Sequence, residues 1–356
     1  MADADLGRLR AAVSEALDAF LAEKRAVLAG MDANLVPVID EVAAVAEGGK
    51  RLRPAFAYWG WRSVRTAPPE DDAAVLRAVA ALEFVHGSAL VHDDVMDAAA
   101  TRRGRPATHV GFGDRHTAAG LDGSPDLFGT GAAILVGDLA LVWSDELLRR
   151  SGISAEALGR ARPVWDTMRT EVTAGQYLDL LRAAGGLPGP EGALTVARYK
   201  SAGYTVQRPL QLGAAIADAG PELVEACTGL ALPLGEAFQL RDDVLGVFGD
   251  PVVTGKSVDD DLREGKQTLL VALTEEATDD AGRDLLREVL GDGGAGSDAL
   301  DAVRGLMRST GALDQVEERI ERQTAVAREL IAVAPVLDDA RAALDALAVA
   351  ATSRTT

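Results

Sequence analysis

Residues Leu82–Pro106 read LEFVHGSALVHDDVMDAAATRRGRP. The stretch starts as an apolar, helix-like run containing Phe84, Val85, Leu90 and Val91. It then reaches three aspartates, Asp93, Asp94 and Asp97, and changes sign at Arg102, Arg103 and Arg105. In a helix that continues through Asp97, Asp93 and Asp97 form an i,i+4 pair on one face, while Asp94 points roughly 100° away. Carboxylates held so close repel one another unless cations lie between them. Hard oxygen ligands on a rigid element suit Mg²⁺, which keeps several waters and takes further ligands from phosphates. The arginines that follow offer planar, bidentate forks to the same phosphates. The plain alternative is a solvated acidic helix end followed by a basic loop. The apolar run favours the first reading, because it puts the carboxylates at the rim of something buried.

Around this stretch the chain has 356 residues, 48% of them hydrophobic and only 4% aromatic. That is enough for a sizeable core, and the scarcity of strand formers predicts an all-α protein. The net charge of −19 argues against a nucleic-acid partner, which needs a basic surface. The longest apolar run, Gly131–Trp143, is interrupted by Asp138, so no membrane span is expected. The acidic N-terminus lacks a signal-peptide core, and Cys227 is the single cysteine, which fits a reducing cytoplasm. An acidic chain that binds anions needs metals or a local basic pocket. Lysines are few: Lys24, Lys50, Lys200, Lys256 and Lys266, against 31 arginines (36 − 5). Four of the five lie in phosphate-like motifs.

Helical spacing of apolar residues predicts a first helix over Leu6–Leu28 and a second over Leu35–Ala46, closed by Gly48-Gly49. GGKRLRP (Gly48–Pro54) follows, with Pro54 as the first residue of the next helix. Three cations at a helix start make a candidate diphosphate cradle; an ordinary basic turn is the alternative. A long helix, Asp71–Asp97, carries the aspartates. The Gly- and Asp-rich segment Gly111–Thr130 reads as loop or frayed helix, and Ile134–Arg150 and Leu158–Leu181 as long helices. The latter holds GQYLDL, with Gln176 and Asp179 as an i,i+3 polar pair. Lys200 lies on a helix. Leu223–Phe248 ends in FQLRDD, where Asp242 and Asp243 again close an apolar helix. The segment after it, through Gly255 and Lys256 to Lys266, predicts a partly cationic flap. From Thr268 onward only amphipathic helices are expected.

With GGKRLRP, DDVMD and its TRRGRP, GQYLDL, Lys200, FQLRDD and GKSVDDDLREGK in this order, the chain resembles the trans-isoprenyl diphosphate synthases of the polyprenyl synthetase family over nearly its whole length, closest to bacterial geranylgeranyl diphosphate synthases. The resemblance implies a single domain over 1–356: an isoprenoid synthase bundle of ten or more helices around a central cavity, with a core over about 30–275 and C-terminal helices over 276–350. It implies a homodimer and about three Mg²⁺ per site, two on Asp93 and Asp97 with Asp94 in support and a third on Asp242, beside Asp243. Arg102, Lys200, Lys256 and Lys266 would hold an allylic diphosphate (dimethylallyl, geranyl or farnesyl). Lys50, Arg53, His86 and Arg103 would hold isopentenyl diphosphate, and Phe238 and Gln239 would lie beside the reacting carbons. The product tail would run along the Asp93 helix past Ala89, Ser88, Val85 and Leu82. Small residues at 88 and 89 favour a C20 product, with C15 or longer chains as the alternatives. One position departs from the pattern: Gly246 stands where many members carry a third aspartate, and Asp250 could replace it only in a helix that runs past Gly249. A terpene cyclase and a catalytically silent partner subunit are the rival readings. The first lacks its Ser/Thr and Glu at 246 and 250, and the second usually loses an aspartate cluster that is intact here.

Overall fold

In a computed structural model the protein is described over residues 2–66, 72–250 and 258–352. These are almost entirely helical, as the composition predicts. The chain divides into two compact units, residues 1–164 with 209–219 and residues 165–208 with 220–356.

In the first unit α1 (Ala2–Met31), α2 (Val36–Ala46), α3 (Leu52–Arg62) and α4 (Ala73–Met96) precede a two-stranded hairpin, Thr101–Arg102 with Arg105–Pro106. Two further helices follow, α5 (Thr108–Ala118) and α6 (Pro125–Arg150). α4 is the core helix and packs on α6, α1 and α3. Phe84 of α4, Phe20 of α1 and Trp143 of α6 meet there, Phe20 lying 5.6 Å from Phe84 and 6.3 Å from Trp143 between ring centroids. Burial of such rings dominates core energetics, at roughly 1.5–3 kcal/mol for a large side chain. Lys24, the lysine outside the phosphate-like motifs, is structural: its ammonium lies 2.6 Å from Glu146.

Three expectations need correction. The segment expected as loop, 111–130, is mostly helix. Ser124 caps α6 by accepting the Leu127 N–H, Pro125 occupies the first turn, and packing of α5 on α6 overrides the glycines' low propensity. Pro54 is the third residue of α3 rather than the first. It remains in the first turn, whose N–H groups have no helical partner in any case. α4 and α6 also have the length and apolarity of membrane spans, because one or two charged residues in an 18-residue window do not offset their apolar neighbours. Burial in the core accounts for α4. α6 leaves an apolar row exposed, at Leu127 (76%), Leu135 (62%) and Val142 (63%).

In the second unit α7 (Ala155–Ala183) enters from residue 165. After it come α8 (Gly189–Val196), a π-helical stretch Ala197–Gln207, α9 (Arg208–Ile216, most of which belongs to the first unit), α10 (Pro221–Phe248) and the short α11 (Asp260–Arg263). α12 (Leu269–Ala277), α13 (Asp280–Val289), α14 (Ser297–Ser309), α15 (Ala312–Val333) and α16 (Asp338–Thr352) complete it. α10 packs along α15 and the π-helical stretch. Leu240 and Val244 share a core with Val316 and Ile320, and on the flank the Arg241 guanidinium makes paired bonds of 2.7 and 2.6 Å to Glu317.

Candidate active site

The first unit holds the acidic helix end and both basic motifs expected to bind isopentenyl diphosphate. Asp97 is the C-cap of α4, and its N–H donates to the Asp93 carbonyl at 2.8 Å. The helical i,i+4 relation therefore holds to the last carboxylate. Asp94 points elsewhere: it is buried and accepts from Arg102 Nε at 2.8 Å and from Arg102 Nη2. Burial raises its carboxyl above the ordinary range, with the Arg102 bonds pulling the other way. Asp94 is thus an anchor for the hairpin. Arg102 Nη2 also lies 3.9 Å from Asp93. The basic stretch after the aspartates is not a plain loop. Arg103 and Gly104 both have positive φ (53° and 72°) between strands in the register Arg102↔Arg105, the two-residue turn that matches strand twist.

The GGKRLRP turn is built by three left-handed conformations, at Gly48 (φ 75°), Gly49 (φ 77°) and, after Lys50, Arg51 (φ 53°). For Arg51 this backbone is costly, and its buried side chain holds it there. Arg51 Nη1 donates to the Ala46 carbonyl at 2.7 Å, closing α2, and to Glu83 of α4 at 2.5 Å. Arg103 Nη1 donates to the Glu47 carbonyl at 2.6 Å, so the hairpin turn is tied to the glycine turn. Lys50 is exposed. His86 sits amid this cluster: burial first, then the charges of Arg53, Arg103, Arg102 and Arg51, hold its imidazole well below the ordinary pKa, hence neutral. A cavity of ≈ 270 Å³ between the glycine turn and the hairpin is lined by Glu47, Gly48, Leu90, Asp94, Arg102 and Arg103, among others. Of the tail-path residues, Leu82, Val85 and Ser88 are buried and Ala89 is partly exposed.

The second unit holds the other expected residues except Lys256, which lies outside the described residues. Gln239 Nε2 donates to Asp243 Oδ1 at 2.7 Å. Burial pushes the Asp243 carboxyl up to about 7, the bond from Gln239 opposing it and the charges of Asp242 and Asp261 adding to it. Lys200 projects from the π-helical stretch, where α7 comes so close that a Cβ on Gly175 would lie 2.4 Å from the Lys200 nitrogen. Its ammonium is 2.5 Å from Asp179, the aspartate of GQYLDL. Lys266 lies 2.7 Å from Asp261 and 3.0 Å from Glu264. Burial works against its charge, but the two carboxylates prevail and raise its pKa. Buried Arg182 donates to the Gly189 carbonyl at 3.0 Å and to those of Leu187 and Gln267, fixing the backbone next to Lys266. α10 ends at Phe248 with Gly249 extended as its cap, and Asp250 is exposed beyond it. Asp250 therefore does not continue the acidic row of α10.

Among the described residues no three His, Cys, Asp or Glu side chains converge as a metal cage. Mg²⁺ uses one or two carboxylates together with waters and substrate phosphate oxygens. Asp93, Asp97 and Asp242, hard donors on helix ends, fit such a role. Sequence reasoning missed Glu83, Arg182 and Asp261. Glu83 and Arg182 have partners that are distant in sequence or are backbone carbonyls, so no local pattern marks them; Asp261 lies inside GKSVDDDLREGK beside its partner Lys266, and only its approach to Gly246 is invisible in that motif.

Comparison with known proteins shows the family. The model of the family described as polyprenyl synthetase matches residues 37–307. A geranylfarnesyl diphosphate synthase of Aeropyrum pernix is 33% identical over 297 residues, 83% of this chain and 86% of that one. A nonaprenyl diphosphate synthase of Mycobacterium tuberculosis is 32% identical over 83% of this chain and 80% of its own. A solved geranylgeranyl pyrophosphate synthase of Corynebacterium glutamicum, complexed with isoprenyl diphosphate and magnesium, superposes with a TM-score of 0.94 at 38% identity, covering 98% of this chain and 99% of the other. The chain belongs to the polyprenyl synthetase family and is a trans-prenyltransferase, a prenyl diphosphate synthase with the all-α isoprenoid synthase fold.

Proposed function

We propose that the enzyme condenses isopentenyl diphosphate with an allylic diphosphate to give geranylgeranyl diphosphate, C20. The observation that carries the reading is the cationic cluster around His86, where the GGKRLRP turn and the arginine hairpin meet within two turns of Asp93. A diphosphate head group bound by Lys50, Arg53 and Arg103, beside a neutral imidazole able to donate one hydrogen bond, needs no metal. The allylic partner is assigned to Mg²⁺, about three ions, held by Asp93 and Asp97 and by Asp242. When bound, the metal neutralises the leaving diphosphate as the C–O bond breaks.

The protein's own groups supply the rest. Lys200 and Lys266, each paired with a carboxylate, and Lys256 and Arg102 hold the allylic diphosphate and stabilise the charge that develops on it. Gln239, oriented through Asp243, borders the reacting carbons with Phe238. Apolar walls keep water from the allylic cation, and the fixed head group of isopentenyl diphosphate aims its double bond at that cation. Loss of a proton to the departing diphosphate completes a product one C5 unit longer. The small side chain of Ala89 and the absence of an aromatic residue at 82, 85, 88 or 89 support a chain longer than C15.

The residues of both units are assigned to one catalytic domain. The exposed apolar row of α6 supports a homodimer, with a second copy of this chain as its cover, and a lone, deeply buried Cys227 suits a reducing cytoplasm. Product chromatography tests the reading, with dimethylallyl, geranyl and farnesyl diphosphate each offered with isopentenyl diphosphate and Mg²⁺. A C20 product from all three is expected. A hydrocarbon from geranylgeranyl diphosphate alone identifies a cyclase, and turnover that needs a second protein identifies a silent subunit.

A further inference from the structure

The second acidic cluster has a gap at Gly246, one turn beyond Asp242 on α10. Glycine inside a helix is unfavourable relative to alanine, so its presence calls for a steric cause. The structure provides one: a Cβ built on Gly246 would lie 1.7 Å from Asp261 Oδ2 and 2.7 Å from the carboxyl carbon. A side chain at 246 would displace that carboxylate from its present position. Asp261 Oδ1 takes the Lys266 ammonium at 2.7 Å, so one oxygen is committed to the lysine while the other is turned towards α10, against the place where an aspartate side chain would begin. Its side chain is only 16% exposed, and it is presented by the four-residue α11, whose Leu262 is buried in the core around α10.

We propose that Asp261 supplies, from a different segment, the third carboxylate that Gly246 leaves out, with Lys266 as its fixed counter-charge, so that the acidic set at the end of α10 is Asp242, Asp243 and Asp261. Asp261 acts as a positioning residue. It holds Lys266 beside the pair on α10 and adds negative charge outside the direct ligand. This inference rests on the assignment of Asp242 to Mg²⁺.

The test uses the full-length protein and three variants, Asp261→Gly, Asp261→Asn and Asp261→Gly/Gly246→Asp. The primary readout is the rise in melting temperature produced by Mg²⁺ with inorganic pyrophosphate, and the second is the Mg²⁺ concentration for half-maximal prenyl transfer. Removing an outer partner of a metal site typically weakens metal binding by about 10–100-fold. Asp261→Gly and Asp261→Asn are therefore expected to raise the Mg²⁺ requirement at least tenfold and to shrink the thermal rise. The double variant is expected to regain both, since the space freed at 261 admits an aspartate at 246. Wild-type thermal rises in both single variants, or a double variant no better than Asp261→Gly, overturn the proposal. Asp261→Asn is nearly isosteric, so it guards against loss of folding in the glycine variant. Prenyl transfer by the wild type decides the assigned activity separately: its absence refutes that reading whatever the variants do.

Discussion

Arg51 and Glu83 form a buried ion pair, 2.5 Å apart with side chains 5% and 7% exposed, that fastens the GGKRLRP turn to the middle of α4. Neither residue is among those expected to bind phosphate, yet Arg51 is the residue with the strained backbone in that turn. Breaking a buried pair strands the remaining charge, at about 3–5 kcal/mol. Glu83→Gln is expected to lower the melting temperature by several degrees and to raise KM for isopentenyl diphosphate more than KM for the allylic substrate. Equal KM changes in steady-state kinetics would contradict a role specific to the turn.

Chain length should respond unequally to the two small residues before Asp93. At about 100° per residue, Ala89 lies about 40° around the helix from Asp93, and Ser88 about 140°. Ser88 is also only 4% exposed, so a phenylalanine there overpacks the core at a typical cost of about 1–3 kcal/mol. Ala89→Phe is expected to shift the product towards C15 with little loss of stability, and Ser88→Phe to lose stability first. Chromatography of dephosphorylated products and a melting curve for each variant check this; an unchanged product from Ala89→Phe excludes the assigned path.

Much of this site could be read from the sequence because its chemistry is local. Asp93 and Asp97 are a helix-spaced pair, GGKRLRP is a contiguous turn, and α4 and α10 announce themselves by long apolar runs that stop at aspartates. What the sequence hid depends on contacts between distant segments. The pairing of Asp94 with Arg102 ties the acidic helix end to the hairpin. A two-residue turn at Arg103-Gly104 made a hairpin from an apparent loop. α5 and the start of α6 are helical through mutual packing, despite glycines that argue against it. Gly246 looked like a loss until Asp261 was seen to fill its place, 15 residues (261 − 246) further on.

The Asp243 carboxyl gives stability a pH dependence whose sign is fixed. Its pKa is about 7 in the folded protein against the ordinary 3.8, so the folded state keeps a proton that the unfolded chain releases. Stability from this group falls as pH rises from about 4 through 7, and the penalty is complete above 7. Asp243→Asn keeps an oxygen to accept the Gln239 bond and removes the charge. In a chelating buffer the variant is expected to melt above the wild type at pH 8, with the difference closing towards pH 4. Parallel melting curves across that range would show that Asp243 is ionised throughout.

The proposed homodimer has its candidate interface in the exposed row on α6. Leu127, Leu135 and Val142 are separated by eight and seven residues (135 − 127 and 142 − 135), about two turns each, and so line one face. Each is more than 60% exposed on a helix whose opposite side is fixed in the core by Trp143 and Val136. Apolar surface of this extent gains roughly 25 cal/mol for each Å² removed from water, and a second copy of the same face satisfies the self-complementarity that a two-fold interface requires. Leu135→Asp with Val142→Asp should halve the mass measured by light scattering while leaving the far-ultraviolet circular dichroism unchanged, because neither side chain supports the core. A wild-type protein that is already monomeric at micromolar concentration would rule out this interface, and the row would then need another cover.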